Sequence, residues 1–378
     1  MRRTPDSMFP YTPADHGYMA RALQLAQCAL NTTTPNPRVG CVLVRDGRII
    51  GEGYTQPAGR NHAEVQALLD ARSRPGGDGA SGATAYVTLE PCSHHGRTPP
   101  CADALIEAGV TRVIAAMQDP NPQVAGQGFA RLRAAGIETR CGLLESEARE
   151  INIGFVARMT RGRSWLRLKM AASLDGKTAL GNGASQWITG PAARADGHRW
   201  RARACAILTG IGTVLEDDPR LTVRLDDYEG TPRQPLKVIV DSRLETPLDA
   251  KVLAGGQVLI AAATDDTGRI AALRARGAEV VVLANARGKV DLSALFAELA
   301  RRGINEVHGE AGFKLSGSLL REGLVDELLL YYAPTLLGDA ARGMFHLGEL
   351  ADLADRRDLQ IADLRRIGDD IRILARPK

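Results

Sequence analysis

Short apolar, β-branched runs alternate with stretches of helical periodicity along this chain, and the alternation runs twice, interrupted by a charged helical stretch at 145–161. Such alternation requires a layered α/β sheet, because each crossover helix must bury its apolar stripe against the strands it connects. At 378 residues and 44% apolar composition the chain is too long for one ordinary core. Two α/β domains are therefore expected, 1–146 and 147–378, each with a site of its own.

In the first half, Met19, Leu23, Ala26 and Leu30 recur at helical spacing, so 15–31 reads as a helix capped by Asp15 and stopped by Pro35-Asn36-Pro37. An apolar strand at 39–44 turns at Asp46-Gly47 into a second strand at 48–53. A helix at 62–72, a strand at 84–89, a helix after Cys101, a strand at 112–117 and a helix at 127–135 follow. The second half reads as a strand at 165–170, a helix at 192–203, strands at 206–209, 237–240, 258–262 and 279–283, and a helix at 292–302. It continues with a strand at 306–308, a helix opening near Gly312, a strand at 327–333 and closing strands near Gln360 and Ile371.

Formal net charge is +4 with no long basic run, and aromatics make up 4% of the chain. A nucleic-acid surface would need a basic stripe interleaved with aromatics, so a small anionic substrate suits this composition better. The cysteines Cys28, Cys41, Cys92, Cys101, Cys141 and Cys205 are sparse and irregularly spaced, unlike a secreted disulfide framework. No apolar run resembles a signal peptide or reaches the ~18 residues of a spanning helix. A soluble, cytoplasmic protein with no membrane partner is expected.

His62-Ala63-Glu64 opens a helix, while Pro91-Cys92 and Cys101 follow the next strand. One imidazole and two thiolates make three zinc ligands, with the fourth position left for a water that ionises near neutral pH. Glu64 stands two residues from His62, placed to carry protons between that water and the ring nitrogen or leaving amine. His-x-Glu followed by Pro-Cys marks the zinc nucleobase deaminases. A closed structural site would need a fourth protein ligand, which His94 or His95 could supply, but Glu64 would then have no task. Cys28, Cys41, Cys141 and Cys205 fall on apolar periodic faces and are expected to be buried small hydrophobes. Asn36 reads either as a turn residue or as a bidentate partner for a pyrimidine edge.

The spacing departs from the common pattern: Ser93-His94-His95-Gly96-Arg97-Thr98-Pro99-Pro100 separates Cys92 from Cys101, where two residues are usual. Here the chain resembles the deaminase half of the bifunctional deaminase/reductase family of riboflavin biosynthesis, in which this longer loop is characteristic. Thr34-Pro35-Asn36-Pro37-Arg38-Val39-Gly40, Thr88-Leu89-Glu90-Pro91-Cys92 and Gln118-Asp119-Pro120-Asn121-Pro122 carry the resemblance further. It implies a cytidine-deaminase-like three-layer domain holding one Zn²⁺ per chain through His62, Cys92 and Cys101, with Glu64 catalytic and Asn36 on the substrate.

No Gly-x-Gly-x-x-Gly opens a helix after a strand in the second half, so a Rossmann site is unsupported. The junction Gly309-Glu310-Ala311-Gly312-Phe313-Lys314-Leu315-Ser316-Gly317-Ser318 offers glycines and a helix start where a pyrophosphate can sit. The segments 168–177, 185–189, 212–219 and 240–242 resemble the reductase half of the same family, whose fold is like dihydrofolate reductase. The resemblance implies that Ala171, Trp187, Thr213, Asp217, Ser242, Gly312, Phe313, Lys314, Leu315, Ser316, Gly317 and Ser318 touch NADPH. It also implies that Lys169, Ser185, Arg201, Leu221, Arg224 and Glu310 hold the substrate. Read without the family, the arginines at 194, 199, 201 and 203 are a solvated helix face, Trp187 is core, and Asp175-Gly176 is a plain turn. Gly309 stands where the family usually has a β-branched residue, and Phe313 where it often has proline.

The implied activity is deamination of 2,5-diamino-6-(5-phosphoribosylamino)pyrimidin-4-one, then NADPH reduction of 5-amino-6-(5-phosphoribosylamino)uracil at the ribosyl group, in a homodimer or tetramer. The rival is a nucleic-acid-acting zinc deaminase with a non-catalytic C-terminal binding domain, which the charge and aromatic content disfavour.

Overall fold

The computed structural model describes residues 10–75, 77, 79–95, 99–122, 124–225 and 232–378. The chain divides into two compact units between Gly162 and Arg163. That division comes later than the expected break after residue 146, because Phe155, and more loosely Val156 and Met159, pack into the first core.

The first unit runs α1 (Pro13–Cys28), β1 (Gly40–Arg45), β2 (Arg48–Tyr54), α2 (Ala63–Ser73), β3 (Thr84–Val87), α3 (Cys101–Glu107), β4 (Arg112–Ala115), α4 (Gln127–Ala134), β5 (Glu138–Cys141), α5 (Glu145–Ile151) and α6 (Ile153–Arg161). Its sheet has the order β2-β1-β3-β4-β5, with β1 antiparallel to both neighbours and β3, β4 and β5 parallel. Asp46 and Gly47 both adopt positive φ, the turn expected from their sequence. Strand β5 was not expected: its Glu-Thr-Arg-Cys sequence lacks apolar alternation and lies at the sheet edge.

The cap of α1 is Thr12, not Asp15. Asp15 is the third helical residue of a capping box, and its carboxylate also accepts a 2.6 Å hydrogen bond from the Tyr86 hydroxyl, tying α1 to β3. Helices cover both faces of the sheet. A Cβ on Gly40 would lie 1.9 Å from the Ala22 carbonyl of α1, whereas one on Gly53 would meet the Ala63 carbonyl of α2 at 2.4 Å. Gly53 pairs with Cys41, next to Gly40, and alternate residues point to opposite faces, so α1 and α2 lie on opposite sides. Cys41 is buried as expected, but Cys28 and Cys141 are exposed, near the ends of α1 and β5 where the covering layer stops.

The second unit contains β6 (Trp165–Ser173), β7 (Lys177–Ala179), α7 (Pro191–Arg203), β8 (Ala206–Gly210), α8 (Ile211–Asp217), β9 (Leu236–Val240), β10 (Val258–Ala262), α9 (Thr267–Ala275), β11 (Ala278–Val282), α10 (Leu292–Arg301), β12 (Glu306–Gly309), α11 (Phe313–Arg321), β13 (Glu327–Ala333), β14 (Arg342–Gly343), β15 (Leu359–Ile367) and β16 (Asp370–Pro377). Its main sheet has the order β11-β10-β9-β8-β12-β6-β13-β16-β15. It is parallel from β11 to β13, and antiparallel at the β16 and β15 edge. Helices α8 and α9 were not expected, the first because it opens on Ile-Gly-Thr and the second because it is short and arginine-interrupted.

The two faces of this sheet differ. On one, Leu166, Leu168, Leu208, Val238 and Val307 share an apolar core with Phe296 of α10 and Leu319 of α11. On the other, beneath α7, Arg167 is fully buried between Glu327, to which Nε donates, and Glu306, 3.1 Å from Nη1. Arg203 of α7 closes this cluster at 2.8 Å from Glu306. The acids compensate the guanidinium charge where water cannot.

Gly40→Ala should cost the first unit ~1–3 kcal/mol through forced separation of α1 from β1. Gly17→Ala, at a helical site with nothing within 4 Å, should add ~0.5–1 kcal/mol. Denaturant unfolding of both variants beside the parent checks the opposite signs.

Candidate functional site

His62 is the extended N-cap residue of α2, Cys92 lies on the turn after β3, and Cys101 is the first residue of α3. The His62 Nδ1 atom lies 3.4 Å from Cys101 Sγ and 3.7 Å from Cys92 Sγ, and all three donor atoms fall within 4.8 Å of one another. Zinc bonds of ~2.3 Å to sulfur and ~2.0 Å to nitrogen put tetrahedral ligands about 3.5 Å apart. The donor set therefore fits one Zn²⁺ in both chemistry and spacing. Among the described residues no fourth His, Cys, Asp or Glu joins the group, and His94 and His95 are exposed.

The surroundings favour ligation. A hydrogen bond from the Cys101 thiol, together with the His62 ring and the Cys101 backbone N–H at 3.3 Å, holds Cys92 well below the usual thiol range despite burial. Cys101 is pushed up by the same partnership and by burial. Glu64, in the first turn of α2, is buried at 4% exposure, and burial with the nearby Cys92 charge raises its carboxyl to about 7. A carboxyl so tuned can both hold and release a proton near neutrality.

Sequence reasoning missed Glu90, whose buried carboxylate accepts backbone N–H bonds from Asp119, Gly126, Gly128 and Phe129 at 2.9–3.2 Å. It joins the Cys92 turn to the loop after β4 and the start of α4. The only available signal was an acid adjoining Pro91-Cys92. Asp119, in that loop, is pushed up to about 6, mainly by burial. Asn36 is half-buried, and its backbone N–H closes a turn onto the Thr33 carbonyl.

A cleft of about 780 Å³ in the second unit opens at the carboxyl ends of β6, β8, β9 and β12. Among the expected cofactor residues it is lined by Ala171, Thr213, Asp217, Gly312, Phe313, Lys314 and Leu315, and among the substrate residues by Lys169, Ser185 and Glu310. Arg201 stands behind Glu310, gripping both carboxylate oxygens, with Nη2 at 2.7 Å from Oε2. Burial alone would raise Glu310, but Arg201, His308 and Lys169 outweigh it and hold the carboxyl well below its ordinary range. Lys169 is itself lowered by burial.

The remaining expected residues lie outside the lining. Ser316 is buried with its hydroxyl on the Ala311 carbonyl, Gly317 packs on the His346 backbone, and half-buried Ser318 donates to the Lys314 carbonyl. The Ser242 hydroxyl accepts from the Val290 N–H, and Leu221 is buried. The Arg224 backbone N–H donates to His198 Nδ1. Trp187 is 70% exposed with the Arg194 guanidinium 4.7 Å from its ring centre, so it is not core. Asp175 accepts from the Ser173 hydroxyl and from the backbone N–H groups of Leu337 and Gly338, which makes it a strut between loops. At the family departures, Gly309 faces the Leu166 and Leu168 methyls, and the Phe313 ring sits edge-on to His346. Arg243, Arg342 and Glu216 line the cleft although no sequence pattern singled them out.

Residues 13–117 match the model of the cytidine and deoxycytidylate deaminase zinc-binding region, and residues 164–373 match that of the RibD C-terminal domain. The riboflavin biosynthesis protein RibD of Escherichia coli K12 is 49% identical, over 94% of this chain and 98% of its own length. The Acinetobacter baumannii RibD structure superposes with a TM-score of 0.89 at 43% identity, covering 97% of this chain and 99% of that one. A Thermotoga maritima structure, described as a diaminohydroxyphosphoribosylaminopyrimidine deaminase/5-amino-6-(5-phosphoribosylamino)uracil reductase, gives 0.84 at 33% identity with the same coverage. With a zinc-spaced His-Cys-Cys group in one unit and a cleft at the carboxyl ends of parallel strands in the other, the chain belongs to the RibD family of riboflavin biosynthesis proteins.

Proposed function

We infer that the chain performs two consecutive steps of riboflavin biosynthesis: hydrolytic deamination of 2,5-diamino-6-(5-phosphoribosylamino)pyrimidin-4-one, then NADPH reduction of 5-amino-6-(5-phosphoribosylamino)uracil to the ribitylamino product. The observation that carries the reading is the convergence of His62, Cys92 and Cys101 beside a buried carboxyl, Glu64. No described helix is long and apolar enough to cross a membrane, in keeping with a small-molecule enzyme, which we place in the cytoplasm as a homodimer or homotetramer.

In the first step His62, Cys92 and Cys101 would hold the zinc, which when bound would supply a Lewis acid for ionising water near neutral pH. Glu64 takes up a proton on its carboxylate and returns it to the ring nitrogen or the departing amine, so that water replaces ammonia at C2. The half-buried loop at Asn36 presents an amide whose oxygen and nitrogen match a pyrimidine edge. Glu90 keeps the Asp119 loop fixed against the metal turn.

In the second step NADPH, when bound, would supply the hydride for reduction at C1′ of the ribosyl group. Gly312 is the N-cap residue of α11 and no side chain caps the helix, so the backbone N–H groups of its first turn are available to a pyrophosphate. Ala171, Trp187, Thr213, Asp217 and Ser242, with the run 312–318, are assigned to the cofactor. Lys169, Ser185, Arg201, Leu221, Arg224 and Glu310 are assigned to the substrate. Glu310 stays ionised because Arg201 pairs with it, which leaves Lys169 a fixed anion to face at the cleft wall. Positioning of this kind carries a transfer in which no side chain donates the hydride.

Glu64→Gln should retain zinc and lose ammonia release by about 10²–10⁴-fold, while NADPH oxidation on the deaminated intermediate survives. Metal analysis with both assays on one sample checks this, and loss of both activities together would sink the division of labour. Stripping the metal with a chelator should likewise stop ammonia release, leave NADPH oxidation on that intermediate near its parental rate, and be reversed by Zn²⁺.

A further inference from the structure

Beneath α7, the charged patch of the second sheet carries a side chain that neither proposed reaction uses. His308 is the middle residue of Glu306, His308 and Glu310, which alternate along β12 and its first residue beyond, where the Glu310 N–H still bonds β8, and it is fully buried. No described protein group hydrogen-bonds either ring nitrogen. Nε2 nonetheless lies 3.2 Å from Glu310 Oε1, near enough for a hydrogen bond but out of line for one. Buried polar groups are nearly always partnered, so an orphaned imidazole on the inner side of a cleft carboxylate calls for a physical reason.

We propose that His308 is a positioning residue of the reductase site, whose Nε2–H holds Glu310 Oε1 from behind once the substrate engages the carboxylate. Arg201 fixes Glu310 from α7, and the Glu310 backbone N–H is fixed by the Leu208 carbonyl of β8 at 2.8 Å. Arg201 holds both oxygens from one side only, and a donor on Oε1 from the β12 side keeps the carboxylate from tilting with the arginine when the substrate pulls on it. Active-site hydrogen bonds are often bent before substrate arrives and straighten in the complex. This role needs a neutral ring with one N–H to give. Burial, with the Arg201 guanidinium of α7 and the Arg167 guanidinium of β6, holds His308 below its ordinary range, while Glu310 on its own strand pulls the other way. Arg203 and Glu306 are paired with each other beside it, and β8 contributes no ionisable side chain. Around Glu310 itself stand Lys169 of β6, His198 of α7, Tyr331 of β13 and Arg224.

The inference rests on the reading that Glu310 contacts the reductase substrate, and one experiment separates the two. In the zinc-loaded full-length enzyme, His308→Phe should raise KM for the deaminated intermediate about tenfold. It should also move the acid limb of the reductase pH profile up by about one unit, the size of one lost hydrogen bond to a charged group. The sign follows because losing a donor makes the carboxylate easier to protonate. His308→Gln keeps an N–H near the place of Nε2 and should restore both values, with NADPH affinity unchanged in either variant. Nitrogen NMR of the histidine-labelled parent gives a readout that needs no variant to fold: His308 should be neutral with its proton on Nε2, and that signal should move when the intermediate is added. A proton on Nδ1, an unmoved pH profile in His308→Phe, or a Gln variant as impaired as the Phe variant would each overturn the role of His308. A Glu310→Gln enzyme with parental KM and kcat would instead remove the reading beneath it.

Discussion

A parallel sheet leaves the carboxyl ends of its strands and the first turns of the following helices on one edge, and both candidate sites of this chain are built on such an edge. In the first unit, Cys92 follows β3 and Asp119 follows β4, with Cys101 opening α3. In the second, Ala171, Gly210, Val240 and Glu310 lie at or just beyond the ends of adjacent parallel strands. Each strand end supplies one group, and hydrogen-bonded register fixes the spacing between groups more tightly than free loops would.

The second sheet also shows how a fold keeps charge inside without losing its core. One face packs an apolar core against α10 and α11, the other carries a second apolar cluster around Ile207, Ile239 and Ile260, and the charged groups Arg167, Glu306, Glu327, Glu310 and Lys169 are confined to the part of that second face nearer α7. Ion pairs so buried add little net stability, because desolvation offsets their attraction. What they provide is fixed direction, since a guanidinium held on two sides cannot swing. The cleft inherits that rigidity through Arg201 and Glu310.

Much of this was legible from local pattern. The hairpin at Asp46-Gly47, the strands at 258–262 and 327–333, and the ligand set His62, Cys92 and Cys101 depend on residue type and short spacing, which a sequence displays. Strand β5 was not legible because its pairing with β4, more than its own side chains, makes it a strand. The cap of α1 was misplaced by three residues because Thr12 and Asp15 are both good capping types, and the extended backbone of Thr12 with its side chain on the Asp15 N–H tells them apart. Glu90 and Arg342 were invisible for a related reason, since each acquires meaning from a partner far away in the chain, and His308 was invisible because only the packing of α7 over β12 buries it beside Glu310.

The sequence by itself determined the layered α/β class, the two-site organisation, and the zinc chemistry, because periodicity and the donor types at 62, 64, 92 and 101 are properties of the chain alone. Tertiary structure alone decided which of the residues in 312–318 line the cleft, that the Glu310 carboxyl is held well below its ordinary range, and where the first unit ends. Those are matters of burial and of long-range pairing. They are fixed only when strands distant in sequence take up register and remove water from between them.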